Sequence, residues 1–201
     1  MKQIKAVRVE TTGMGTYNKT KIMYASELVL AFFQSHTFRL KFFATHISHL
    51  RGESDSSISK RLDKDALFDL FMTGKEEWNG KADHEIDLKV VRYNSRWSKV
   101  IGYIIPMKPE IYVNGKFFDE NGVEEVADNL CHEWSHTLGF RHSGPYIRES
   151  IPYYINIWFK VWLKANTPMP KSLNSYTTIC KRSWKTLWLV KHCYKVVNNA
   201  N

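Results

Sequence analysis

The chain has 201 residues, 43% of them apolar and 24% charged, which fits a globular domain with a substantial core and excludes disordered and fibrous classes. Its formal net charge of +9 is unevenly placed: Glu149 is the last acidic residue, and the eight Lys and Arg after it have no carboxylate among them. The opening MKQIKAVRVETTG lacks the apolar core of a secretory signal, and no run of 18 apolar residues occurs, so a cytoplasmic location is the starting expectation.

No repeat, low-complexity tract or Gly/Ser/Pro linker divides the chain, so residues 1–201 read as one domain with a basic, helical C-terminal segment from about 150. IKAVRVE alternates as an opening strand should. SELVLAFFQSH, with Ser26 as N-cap, predicts a buried helix extending to about Phe43. DSSISKRLDKDALFDLFMTGK repeats Ile58, Leu62, Ala66, Leu67, Leu70 and Phe71 on one helical face, and Gly74 sits where a C-cap belongs. The period then changes: IDLKVVRY, VIGYIIP and EIYVNGKFF are short β-branched and aromatic runs that predict consecutive strands. Asn121 and Glu124 are a capping pair for the helix GVEEVADNLCHEWSHTL.

That helix ends in CHEWSHTLGFRHS, with three of the chain's eight histidines in eleven residues. Residues four apart on a helix lie one above the other, so His132 and His136 present their rings to one point with Glu133 beside it. An open catalytic zinc site needs three protein ligands and a fourth position for water. Gly139 can take the left-handed conformation that ends a helix and turns the chain, which brings His142 back as the third ligand. Zn2+ in such a site acidifies its water and polarises a carbonyl, and Glu133 is placed to take the proton and hand it on. The alternative is a His-rich helix end with no chemistry. Cys131 adjoins His132, but neighbouring helix positions point about 100° apart, and it is expected to be a buried, inert thiol. Cys131, Cys180 and Cys193 make no disulfide framework and fit a reducing compartment, with a Cys180–Cys193 bridge left open. His46, His49 and His84 stand in no ligand spacing with the cluster and read as surface or core histidines.

His132, Glu133, His136, Gly139 and His142 occupy every fixed position of HExxHxxGxxH, and in this the chain resembles the metzincin clan of zinc metallopeptidases. The resemblance implies an α/β (α+β) zincin-like fold, with a twisted, mostly parallel sheet, an antiparallel edge strand bordering the cleft, and an active-site helix carrying HExxH. It implies one catalytic zinc ion and a peptide or protein substrate bound extended along the edge strand, for which the segment near VIGYIIP is the candidate. The chain departs from the clan where a methionine turn should support the metal. Ser150–Tyr154, SIPYY, carries Pro152 where that methionine would fall and Tyr154 where a metal-approaching tyrosine would; Met169 is a second candidate. Pro152 also suits the first turn of a helix over YYINIWFKVWLKA. Tyr153 and Tyr154 are read either as donors to an oxyanion or as aromatics of the helix start.

CKRSWKTLWLVKHCYKVV has the pattern of a basic amphipathic helix, which can rest weakly on an anionic surface or pack on its own domain; no specific nucleic-acid motif accompanies it. The function expected from all of this is zinc-dependent hydrolysis of peptide bonds. Two rivals stand beside it: a catalytically weak or inactive zinc-stabilised binding or scaffold protein, and a zinc amidohydrolase acting on a non-protein substrate.

Overall fold

A computed structural model describes residues 3–45, 64–95, 97–98, 100–142 and 150–166. Strand β1 (Ala6–Thr12) and strand β2 (Glu85–Tyr93) run parallel, with Ala6 opposite Glu85 and Thr12 opposite Val91. Strand β4 (Glu110–Asn114) joins the other side of β2, again in parallel, and β3 (Gly102–Ile104) closes that side in the antiparallel sense, with Tyr103 opposite Tyr112. The result is a mixed four-stranded sheet in the order β1-β2-β4-β3, with β3 at an edge. The mostly parallel sheet and the antiparallel edge near VIGYIIP are thus both present.

The period-2 rule explains which side of the sheet is covered. Ile86, Leu88 and Val90 are buried while Glu85, Asp87 and Lys89 point the other way. The buried set joins Ile22, Ala25 and Val29 of helix α1 (Thr16–Gln34) and Val126, Ala127 and Leu130 of helix α5 (Val123–Thr137) in one core. Around it, α1, helix α2 (His36–Ala44), helix α3 (Lys64–Thr73) and helix α6 (Ile151–Asn166) bring together an aromatic cluster. Phe33 meets Phe71 and Trp134 at ring-centroid distances of 5.6 and 4.8 Å, and Phe32 meets Phe159 edge-on at 5.3 Å. Each such side chain contributes about 1.5–3 kcal/mol by leaving water, so this cluster anchors α5 against the rest of the fold.

Local signals were misread at three places, each for a reason of capping. Ser26 is inside α1 and not its cap; the predicted single helix is broken at Ser35, whose extended backbone and Oγ, accepting from Phe38 N at 3.1 Å, start α2. EIYVNGKFF is strand only as far as Asn114. There the Asn114 carboxamide accepts from Lys116 N at 3.1 Å and opens helix α4 (Gly115–Glu120). Asn121 closes α4, with its amide N–H on Phe117 O at 3.1 Å, and the acidic cap of α5 falls one residue later than predicted: Glu125 Oε2 accepts from Gly122 N at 3.0 Å. Gly74, at φ +60°, does terminate α3. Ile58 and Leu62 of the predicted helix face, His46, His49, Met169, Cys180, Cys193 and the basic C-terminal helix lie outside the described residues. Among the described residues no helix is long and apolar enough to cross a membrane.

Candidate metal centre

Helix α5 carries the site and is held at both ends. At its C-terminus Gly139 takes φ +96°, its N–H reaches His136 O at 3.0 Å, and Phe140 N reaches Ser135 O at 3.3 Å, the paired bonds of a Schellman ending. A Cβ at this glycine would stand 2.7 Å from Glu77 Oε1, so both conformation and space require glycine. Arg141 then ties the turn down, donating to His136 O at 2.7 Å and to Glu77 Oε2 at 2.5 Å. His142 follows directly.

The three histidines of the motif come together: one ring nitrogen from each of His132, His136 and His142 lies within 4.8 Å of the others. What organises them is the opposite nitrogen of each ring. His136 Nδ1 meets Phe140 O at 2.6 Å, which makes Nδ1 the N–H donor and leaves a lone pair on Nε2. His132 Nδ1 faces two acceptors, Pro152 O at 3.1 Å and Asn156 Oδ1, and is fixed the same way. His142 Nδ1 pairs with Ser150 Oγ at 2.9 Å.

The consequence is electrostatic. His136 Nε2 and His142 Nε2 stand 3.2 Å apart. With the His136 proton on Nδ1, its Nε2 lone pair points across that gap at His142 Nε2, and a shared cation fits there when the Ser150 hydroxyl accepts from His142 Nδ1. Metal–imidazole bonds of about 2.0–2.1 Å at tetrahedral angles put neighbouring ligand atoms about 3.3 Å apart, so the spacing suits the purpose. Burial also resists protonation: it pulls His136 down to about 3, with the neighbouring His132 adding to the effect, and His142 down to about 4, and it lowers His132 against the pull of Asn156 and Pro152. The lone pairs therefore stay available through neutral pH. The donor set is all imidazole, a chemistry that suits zinc, copper, iron or nickel better than magnesium or calcium.

Glu133 is beside this centre and 4% exposed. Asn129 Nδ2 donates to its Oε1 at 3.3 Å, and desolvation pushes its carboxyl up to about 7. Across from it is Gly102 of the edge strand: a Cβ there would fall 2.9 Å from Glu133 Oε1 and 2.8 Å from Asn129 Oδ1. Absence of a side chain on β3 is what leaves room for the carboxylate.

The segment Ser150–Tyr154 lies against the histidines. Beyond the Ser150 and Pro152 contacts, the Tyr153 ring packs against His132 at 5.1 Å and His142 at 4.8 Å between centroids. Tyr154 instead stacks on Trp158 at 5.7 Å and joins the core. Pro152 falls in the first turn of α6, where its missing N–H costs nothing. Cys131 is fully buried and its thiol is driven well up by desolvation, with Asp128 adding to it, so it is inert. His84 belongs to the turn before β2, with Nδ1 on Met72 O at 2.9 Å. Asn129 and Asn156 escaped the sequence reading: an amide at an unremarked position has no spacing signature, although both lie one helical turn or so from residues that were singled out. Comparison of the chain with family models, curated proteins and solved structures finds no match.

Proposed function

We propose that the chain is a zinc-dependent metallopeptidase in which His132, His136 and His142 hold one zinc ion and Glu133 is the general base and acid. The observation that carries this is the convergence of three imidazoles, each tied by Nδ1 to an oxygen, beside a carboxyl group next to a free strand edge. Zinc bound there supplies a Lewis acid that polarises the scissile carbonyl and acidifies water.

The chain's own residues do the rest. Glu133, poised near neutrality by burial, accepts a proton from water and returns it to the departing amine nitrogen. Asn129 orients its carboxyl toward the cleft. Tyr153, whose ring lies on two of the three histidines, is the phenol placed to donate to the developing oxyanion, whereas Tyr154 serves the packing of α6. The substrate backbone lies extended along β3, whose outer edge has no strand partner among the described residues.

The test combines metal analysis with digestion of a peptide library, with and without chelator. Wild-type protein is expected to carry one zinc per chain and to cleave; Glu133→Ala is expected to keep the zinc and lose cleavage. Cleavage by Glu133→Ala would overturn the mechanism. Stoichiometric zinc with an intact library would leave a metal-stabilised binding protein as the reading.

A further inference from the structure

The first two turns of α6 occupy the place where the metzincin pattern would put its methionine turn, and they meet the histidines with polar groups. His132 is held from α6 by two oxygens, Pro152 O and Asn156 Oδ1. The other end of the Asn156 amide is also engaged: Nδ2 donates to the main-chain Asp128 O at 3.4 Å. Asp128 precedes His132 by one turn on α5, and its carboxylate pairs with Lys160 Nζ of α6 at 3.1 Å. The Asn156 amide and this ion pair together stitch α5 to α6 beside His132.

The amide has one orientation that satisfies all of these groups. Turned over, it would aim its NH2 at His132 Nδ1, forcing that nitrogen to be an acceptor while Pro152 O stands 3.1 Å from it, and would set its own oxygen against Asp128 O. The orientation seen agrees with Pro152 O in making Nδ1 a donor and leaving Nε2 as the ligand atom.

We propose that Asn156 is a positioning residue of the metal centre: with Pro152 O, its carboxamide oxygen fixes the tautomer and direction of the His132 ring, and its bond to Asp128 O holds the amide in that orientation. This rests on the reading that the histidines bind a metal, and it adds that the affinity for the metal is set from α6. Outer partners of ligating histidines change metal affinity roughly 10–100-fold when removed.

The experiment uses the full chain stripped of metal and titrated with Co2+, whose visible absorption reports ligand geometry, and with Zn2+ against a chromophoric chelator. Asn156→Ala is expected to bind roughly 10–100-fold more weakly and to alter the cobalt band, while its circular dichroism in chelator stays that of the wild type. Asn156→Leu, which keeps the branched shape and removes both polar ends of the amide, is expected to weaken binding in the same direction, and it decides the matter if Asn156→Ala does not fold. Unchanged affinity and spectrum in both single variants would overturn the positioning role while leaving the metal reading intact. A wild-type chain that binds neither ion would overturn both.

Discussion

Of two buried glutamates, Glu133 is on α5 and Glu76 packs against it, and burial pushes both carboxyl groups up to about 7. Glu76 is fully buried and clamped: Oε1 accepts from Trp134 Nε1 at 2.9 Å and from Asp87 N at 3.2 Å, which ties the segment after α3 to β2 and to the aromatic core. Glu133 has a single amide donor, Asn129, and faces the side-chain-free Gly102 of an edge strand beside three histidines. An equal proton affinity thus serves different ends. A raised carboxyl group becomes a candidate base through what it can reach, not through its titration alone. Among the described residues the Glu76 carboxyl meets a tryptophan N–H and a backbone amide, so its role is to hold the helix that carries Glu133.

The largest expected effect separates the pair by activity. Glu133→Gln should lower the rate of peptide cleavage by roughly 10²–10⁴-fold with zinc retained, as loss of a general base does, whereas Glu76→Gln should leave the rate near that of the wild type. A comparable rate loss in both, with both metal-loaded and folded, would erase the distinction.

Next in size is the clamp itself. Trp134→Phe removes the indole N–H and leaves Glu76 Oε1 with Asp87 N as its remaining donor, and should destabilise the fold by about 1–3 kcal/mol in denaturant unfolding. No loss of stability would mean that the Trp134–Glu76 bond holds nothing.

The pH dependence of stability, measured on metal-free protein, sharpens the comparison further. Glu76 has a folded value near 7 against an ordinary 4.5, so its ionised form is disfavoured in the fold: the stability it lends is full below 4.5 and is lost as pH rises toward 7. The difference in unfolding free energy between wild type and Glu76→Gln should therefore fall across that window and be flat outside it. The histidines act in the other direction. His136 and His142, lowered from 6.5 to about 3 and about 4, lend stability above 6.5 that disappears as pH falls toward their folded values, so acid unfolding should begin below neutrality.

The smallest effect concerns Asn129. Its hydrogen bond lowers the Glu133 carboxyl against the desolvation that raises it, so Asn129→Ala should move the acid limb of the pH–rate profile upward without changing zinc content. A limb that stays in place would show that the 3.3 Å contact does not act on the base.

Much of this was legible in the one-dimensional pattern because it is local. The i, i+4 spacing of His132 and His136, the helix-ending Gly139 and the return of His142 act within eleven residues, and short-range geometry alone brings them near each other. The strand runs were visible from their β-branched content, and the edge position of the segment near VIGYIIP was anticipated from family likeness. Caps were less legible. Ser26 and Asn121 have cap propensities like those of Ser35 and Gly122, and Asn114 sits in a run that reads as strand, so local pattern alone does not choose the helix starts.

What the sequence by itself determined is the histidine triad, its accompanying glutamate and the turn between them, since backbone periodicity and one positive-φ glycine specify these without long-range help. What only the tertiary structure decided is the state of those groups. Pro152 and Asn156 of α6 and Ser150 just before it meet the ring nitrogens, Gly102 comes from an edge strand to make room for Glu133, and Glu76 comes from the segment after α3 to anchor Trp134. The His132 tautomer, the space around Glu133 and the hold on Trp134 depend on partners 20 or more residues away, and only the packed fold brings those partners into contact.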